Sequence, residues 1–419
     1  MTGLQEQFNK YLEKKENNLK EQLQEQLQNY LENLPSPNIA IIGLTGVGKS
    51  SLINGTFGIE IAGAGAGLPK TKEYKKYPLE LDEKNQLFQK QILYLYDSPG
   101  YEPGCEQEDF VEKTIDFLKE KNQPGKEEPI HIVWYLISAS AARLTQADIN
   151  IINEINKNGI PAIIVLSKCD IAKREQISQT KKAIEEAGFS EKVYEIIPVA
   201  ADPIILPDGK TIPVTLPDGK TIYPPFGMKE LVNVTTEELP DKIYLDAFIA
   251  AQTVDLKSKR KLAWKYIREA AIGCFGLGSL PVPLTVPGGI IVALVYMYNT
   301  IIVVYGHTNL SLLDLISSIT VGGVFTLVID LAVDLFSFAN PLMANLAAAT
   351  AAVFVLTFGI ALTNTCERLA KEKLTSRGSE ISPKLKEIFR EEFKKLSPIQ
   401  ISTPQDIDRV GTDFINDKI

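Results

Sequence analysis

Histidine, cysteine and tryptophan are scarce: the 419 residues include two His, four Cys and two Trp. The cysteines, Cys105, Cys169, Cys274 and Cys366, lie far apart and form no CxxC pair. That spacing argues against a zinc cluster or a disulfide framework, and scattered single thiols suit a reducing compartment. Basic charge is also in deficit. Lys and Arg number 44 against 52 Asp and Glu, a net charge of −8, so no global basic field draws the chain to a phosphate backbone. The opening MTGLQEQFNKYLEKK contains no apolar h-region, and no secretory signal is expected. With 45% hydrophobic and 23% charged residues the composition is that of a globular protein, and the length suggests two to three domains of ~100–200 residues.

The most informative absence is local. No Asp, Glu, Lys or Arg occurs from Ala270 to Leu313, or from Leu335 to Cys366. Charge is concentrated on either side, so the chain reads as a soluble part followed by one that meets lipid or packs as a very apolar bundle. Residues 1–36 carry Leu12, Leu19, Leu23, Leu27, Tyr30 and Leu34 at helical spacing and stop at Pro35 and Pro37. That is an amphipathic helix, packed on another helix of the chain or self-associating as a short coiled coil.

From 37 to 240, apolar runs alternate with helical patterns. The runs are 38–43, 91–97, 131–138, 161–167 and 193–200; the helical stretches are 49–57, 106–121, 145–157, 174–187 and 228–239. Ile-, Val- and Leu-rich runs without polar alternation suit strands buried on both faces. The expected fold is α/β, a mostly parallel sheet wrapped by helices. A heptad, LPDGKTI, occurs at 206–212 and again at 216–222. Its Pro-Asp-Gly is turn chemistry, so the insert 203–226 reads as a small β-hairpin arm or a decorated loop.

After the first run stands Gly43-Leu-Thr45-Gly46-Val47-Gly48-Lys49-Ser50, followed by Ser51. This is a complete GxxxxGK[ST] loop between a strand and a helix. Its glycines let backbone N–H groups curl around phosphate oxygens, Lys49 supplies a point charge, and the Ser50 hydroxyl is placed for Mg²⁺. The run 91–97 ends in Asp97-Ser-Pro-Gly100, where a strand-end carboxylate can hold the Mg²⁺ shell and the Gly100 backbone can contact a terminal phosphate. The next two strand ends read Ser167-Lys168-Cys169-Asp170 and Pro198-Val199-Ala200-Ala201.

In this order the set resembles the TRAFAC-class GTPases, most closely the Era/TrmE branch and the dynamin-like and immunity-related GTPases, over residues 37–240. The resemblance implies a P-loop G domain that binds GTP or GDP with Mg²⁺. Asp170 would accept from guanine N1 and N2, the Lys168 stem would cover the ring, and the backbone amide of Ala201, with Ala200 beside it in the binding motif, would read O6. Thr71, in the Gly/Ala-rich stretch after Ile61, stands where the family has its switch threonine, which joins Ser50 and Asp97 as a metal ligand. Lys49, Thr71 and Gly100 are the catalytic assignments. Ser167 replaces the commoner Asn and Ala200 a frequent Ser. Tyr101 follows Gly100 where Ras-type GTPases place a water-orienting Gln, so unaided hydrolysis is expected to be slow, with help from a partner, a potassium ion or a second copy. Arg143 is either a trans-acting arginine across a dimer or a surface arginine paired with nearby acids.

The region 241–378 opens with a basic helix carrying Lys257, Lys259, Arg260, Lys261, Lys265 and Arg268. Three apolar segments follow: 288–306, 315–337 and 341–364. About 20 apolar residues cross a bilayer core. The middle segment gains roughly 6 kcal/mol from its Leu, Ile, Val and Phe, but Asp330 and Asp334 give back about as much. The outer two are uncharged and come out favourable, so two spans with both ends on the cytoplasmic face is one solution, and a peripheral bundle is the other. A basic helix, Pro281-Val-Pro283 and paired apolar helices behind a G domain resemble a family of bacterial membrane-associated GTPases. Immunity-related and dynamin-like proteins similarly flank the G domain with an all-α domain of N- and C-terminal helices. In the region 379–419, Ile381, Leu385, Ile388, Phe389, Phe393 and Leu396 form a stripe that could pair with residues 4–34. The expectation is a slowly hydrolysing GTPase at a lipid membrane, acting by homodimerisation or larger self-assembly and not on nucleic acid. The alternatives are an Era-like RNA-associated assembly factor and a GTPase coupled to transport through Asp330 and Asp334.

Overall fold

The computed structural model describes residues 35–59, 74–80, 91–98, 107–239 save 124, 126–127 and 190–192, 241–275, 289–306, 312, 315, 341–372, 381–396 and 399–419. The helix expected over 1–34, the switch stretch 61–71, and the segment 315–337 apart from Leu315 lie outside them. The chain divides into two compact units, one of Leu34–Glu80 with Gln91–Asp255, the other containing Leu256–Ile419.

The first unit is built on six strands: β1 (Asn38–Gly43), β2 (Lys75–Glu80), β3 (Gln91–Asp97), β4 (Ile132–Ser138), β5 (Ala162–Ser167) and β6 (Val193–Pro198). Their order is β2-β3-β1-β4-β5-β6. All pairs are parallel except β2 on β3, which is antiparallel. The helices are α1 (Lys49–Phe57), α2 (Gln107–Lys121), α3 (Gln146–Lys157), α4 (Arg174–Glu186), α5 (Met228–Glu238) and α6 (Leu245–Ala251). The strands carry no polar alternation because both faces are covered. Ile39, Ile41, Trp134 and Val165 pack in one core layer with α1, α5 and α6. Ala40, Ile42, Tyr135 and Ile164 pack in the other with α2, α3 and α4. This unit continues past residue 240, since Phe248 is fully buried and the Thr253 N–H donates to the Thr56 carbonyl at 2.9 Å.

Some of the polar groups that enter these layers tie one element to another. Trp134 Nε1–H donates to Thr235 Oγ1 at 3.0 Å, and the Tyr135 hydroxyl to Asp148 Oδ1 at 2.9 Å. His131 Nδ1 accepts the Asn38 N–H at 2.8 Å, tying the start of β1 to the entrance of β4. Burial pushes this imidazole down to about 4.

The insert after β6 is two successive hairpins. In the first, Ile205 bridges Thr211, and the Leu206 N–H donates to the Lys210 carbonyl at 2.8 Å. The second pairs β7 (Val214–Thr215) with β8 (Thr221–Ile222), and Leu216 repeats the bond to Lys220 at 2.9 Å. Each copy of the heptad makes the same turn. Gly209 and Gly219 supply φ of +80° and +88°, and Asp208 and Asp218 each accept the backbone N–H two residues on.

The second unit is helical: α7 (Leu256–Gly273), α8 (Gly289–Tyr305), α9 (Pro341–Lys371), α10 (Ile381–Lys395) and α11 (Pro404–Ile415). Helix α7 packs on α8, α9 and α11, and α9 packs on α8 and α10. A Cβ on Gly359 would stand 2.7 Å from Ile267 and Met297 atoms, so the bare backbone sets how closely α9 approaches its neighbours. Two of the six basic residues on α7 point inward, not to water or headgroups. Arg260 forms a fork on Glu367 at 2.8 and 2.5 Å, and also pairs with Asp417. Tyr305 adds a hydrogen bond to Glu367 at 3.0 Å, and Lys259 Nζ donates to the Val304 carbonyl at 2.5 Å. On α10, Leu385, Ile388, Phe389 and Leu396 are buried, with Phe389 edge-on to Phe358 of α9 at 5.1 Å and the half-buried Phe393 edge-on to Phe354 at 6.3 Å.

Two outcomes follow. His131 is neutral when folded and titrates near 6.5 when unfolded, so the unfolded chain binds the extra proton and stability falls as pH drops from about 6.5 towards 4. Between pH 6.5 and 5, His131→Gln loses less unfolding free energy than the wild type in urea titrations. Glu367→Ala removes the buried, two-pronged carboxylate from Arg260 and leaves its guanidinium only the exposed Asp417 and the Phe414 carbonyl. It costs the helical unit about 3–5 kcal/mol, read as an earlier denaturation transition by tryptophan fluorescence.

Candidate nucleotide site

The site gathers at the C-terminal ends of the parallel strands, where β1 separates β3 from β4 and the chain order reverses. β1 runs into the phosphate loop. Gly43 is needed for close approach, since a Cβ there would lie 2.7 Å from the Leu136 carbonyl oxygen on β4. Gly46 and Gly48 take φ of +74° and +99°, and a Cβ on either would meet nothing within 4 Å. The loop is thus left-handed where it must be, and open on that side. Thr45 is exposed, Val47 is buried against the core, and Ser50 and Ser51 are half-buried on the first turn of α1. Ser51 Oγ reaches Asp202 Oδ2 at 3.5 Å.

Lys49 is only 8% exposed. Its ammonium donates to the carbonyls of Gly43 at 2.8 Å and Leu44 at 3.3 Å. Burial holds it below its ordinary value, opposed by the charge of Asp97. The β1–β3 register sets Asp97 opposite Ile41, which brings this carboxylate to the mouth of the loop. It is buried, and its Oδ1 has no hydrogen-bond partner. Burial pushes Asp97 up to about 6, with Lys49 and Lys75 pulling it down. An orphaned carboxylate oxygen beside a buried ammonium fits a divalent cation next to a phosphate chain. Asp97 and Ser50 are the described residues that would hold it. Thr71, Gly100 and Tyr101 lie outside the described residues. Arg143 is exposed and makes no ion pair among them.

The base-reading side is held by backbone. Lys168 stands at φ +57°, turning the chain so that Asp170 is half-exposed at the strand ends. Ser167 Oγ donates to the Ile137 carbonyl on β4 at 3.3 Å. Where the resemblance placed a loop-supporting Asn, this hydroxyl supports the sheet. Of the two alanines, Ala200 has its N–H committed to the Phe226 carbonyl at 3.1 Å. That leaves Ala201, the residue to which the resemblance gave the base oxygen, as the neighbouring amide of this motif.

Sequence reasoning overlooked Cys169. The residue is fully buried, its Sγ donates to the Leu166 carbonyl at 3.1 Å, and its N–H donates to the Val199 carbonyl at 3.2 Å. It fastens the Lys168–Asp170 turn to the β6 loop, and burial pushes the thiol up to about 12, so it is a structural and unreactive thiol. A cysteine inside a charged turn was the available signal.

Comparisons with known proteins fall on this unit. The family described as 50S ribosome-binding GTPase matches residues 38–168. The probable GTP-binding protein EngB of Aquifex aeolicus (strain VF5) is 28% identical over 149 residues, 36% of this chain and 75% of the relative. Neuronal-specific septin-3 of Rattus norvegicus is 27% identical over 170 residues; the chain spans 46% of that relative. Among solved structures, a variant of Aquifex aeolicus Era bound to GDP and aluminium fluoride aligns at 19% identity and a TM-score of 0.33, covering 59% of this chain and 69% of Era. A probable GTP-binding protein engB aligns at 21% identity and a TM-score of 0.28, covering 39% and 89%. The family match coincides with the stretch that runs from the phosphate loop to the turn at Lys168, and the unit built on this six-stranded sheet is a P-loop GTPase domain of the TRAFAC class.

Proposed function

We propose that the protein is a Mg²⁺-dependent GTP-hydrolysing switch, slow alone and accelerated by self-association, whose helical unit addresses a lipid surface. The observation that carries the nucleotide reading is the buried, unpartnered Asp97 oxygen facing Lys49 at the end of β3. Magnesium bound there would neutralise charge on the β- and γ-phosphates. Lys49 leaves the Gly43 and Leu44 carbonyls for phosphate oxygens, Ser50 and Asp97 orient the metal shell, and the loop amides position the chain of phosphates. Asp170, acceptor-only when ionised, selects a base edge with two adjacent donors, as guanine has and adenine lacks.

The lipid reading is supported by the charge-free sequence around 276–288 and 335–340. The span Ala348–Lys371 is long and apolar enough to cross a membrane, yet 83% of its apolar window is buried within the protein. That burial favours peripheral contact over two spans, with α9 as a core helix. The matching family's description, 50S ribosome-binding GTPase, favours an RNA-associated assembly role instead, against which stands the excess of acidic residues.

The first test is GTP turnover against protein concentration, with and without anionic vesicles. Turnover per molecule climbs with both; a low, flat rate in every condition removes self-activation and lipid contact, and strong salt-dependent RNA binding revives the assembly reading. Asp170→Asn lowers GTP affinity about 100-fold or more, since two charge-assisted hydrogen bonds are lost. It leaves xanthosine nucleotides bound, measured by calorimetry. Asp97→Asn keeps Mg²⁺-free GDP binding but loses the gain in affinity that Mg²⁺ confers on the wild type.

A further inference from the structure

Helix α7 carries six Lys and Arg against the single acid Glu269, in a molecule of net charge −8. Five of these cations fall, with one tryptophan, in two rows at i, i+4, i+8 spacing, which on a helix are neighbouring lines of one face. Lys257, Lys261 and Lys265 form the first row and are exposed. Arg260, Trp264 and Arg268 form the second, and α11 lies on it.

The cover matches the second row position by position, running antiparallel to it. Arg268 forks onto Asp408 at 2.6 and 3.4 Å. Gly411 lies so close to the Trp264 indole that a Cβ would overlap the ring, and the Phe414 ring stands 5.9 Å from it. Arg260 meets the Phe414 carbonyl at 3.3 Å and pairs with Asp417. Residues 404–417 hold four acids and one base, so an acidic strap covers half of a basic face.

The strap can leave without orphaning a buried charge. Arg260 keeps its fork on Glu367, Arg268 and Asp408 are both partly exposed, and Thr403 with Asp406 caps α11 from within the strap itself. Exposed ion pairs hold weakly and weaken further in salt. The apolar hold is short, with Ile407, Val410 and Phe414 as the large side chains that α11 buries.

We infer that these two rows of α7 are the surface through which the helical unit meets anionic lipid, and that α11 is an internal stand-in for the headgroups, displaced when the surface is engaged. The inference rests on the lipid reading above and adds its surface and its control. Three observations select this partner. The carboxylates of the strap already occupy the anion positions at both arginines. Bared, Arg268 and Trp264 join the lysine row in a strip two rows wide, which one flat anionic surface touches at once whereas a single helix, like α11, covers one row; an indole beside cations suits the headgroup boundary. The charge-free sequence starts at Ala270, in the last turns of the same helix, and runs to Leu313. A basic segment leading straight into an apolar one is the order that binds headgroups and then the acyl boundary, and a nucleic acid has no use for that continuation.

Flotation of the full chain with phosphatidylcholine vesicles, with and without phosphatidylserine, tests this on three variants. Gly411→Ala wedges α11 off Trp264 without changing charge, and Asp408→Arg does so by repelling Arg268. The third adds Lys257→Glu, Lys261→Glu and Lys265→Glu to Gly411→Ala. Both release variants shift tryptophan emission to the red in solution, a change that reports Trp264 because Trp134 is fully buried in the sheet unit. They bind phosphatidylserine vesicles about tenfold more tightly than the wild type, and the third variant keeps the red shift but loses the binding. The inference is overturned by release variants that keep the wild-type emission, by released protein that binds no better than wild type, by binding that survives the lysine reversal, or by binding indifferent to phosphatidylserine, as an unfolded helical unit would show. Wild-type binding that none of the variants alters leaves the lipid reading standing without this surface, while no vesicle binding by any sample removes both. A single-stranded RNA oligonucleotide bound by Gly411→Ala, with no binding to vesicles, reassigns the rows to nucleic acid. GTP affinity stays within about twofold of wild type throughout, since every change lies outside the sheet unit.

Discussion

Two opposite charges, one buried at the start of α1 and one at the end of β3, govern the sheet unit. Lys49 and Asp97 are each destabilised by leaving water, and each is held partly charged by the other. Neither is satisfied by the protein as a carboxylate–ammonium contact would be, because the lysine is bonded to carbonyls of its own loop and the carboxylate keeps an oxygen without a partner. Such an arrangement is a stored cost that a cation and an anion together relieve. It depends on β1 and β3 being neighbours in one register, and that adjacency depends on apolar strands covered on both faces.

Much of this was legible before any coordinates. The five apolar runs became β1, β3, β4, β5 and β6 because Ile, Val and Leu without alternation have few other uses in a short segment. The strand β2 was not delimited: it is an antiparallel edge strand carrying Lys75, Lys76 and Pro78, and an edge needs neither an apolar run nor a full set of backbone donors. The phosphate loop and Asp170 were readable because their chemistry lies in local order. The commitments of Ala200 to Phe226 and of Cys169 to Val199 were not, since each is decided by what lies across the fold. The duplicated turn was visible, but one arm was expected where two hairpins form.

The helical unit shows where composition stops being informative. Lys259 and Arg260 sit in a cluster that reads as a basic face, yet both enter the bundle, one onto a carbonyl and one onto Glu367. Hydropathy cannot sort inward from outward charges when the inward ones are paired. The apolar helix α9 poses the same difficulty in reverse, because a helix surrounded by helices and a helix surrounded by lipid draw on the same residues. It packs on α7, α8 and α10, an arrangement that helices of a soluble core and of a membrane bundle share.

The helix starts differ in a way that matters for the loop. Helices α3 and α11 begin with capping boxes, Thr145 with Asp148 and Thr403 with Asp406. Helix α1 begins at Gly48, which has no side chain to cap with, and has no acidic residue in its first turn. Its leading N–H groups and the positive end of its dipole are left for something outside the chain to complete. A bound phosphate is then the N-terminal cap of α1, and the ordering of that first turn and the filling of the loop become one equilibrium seen from two sides.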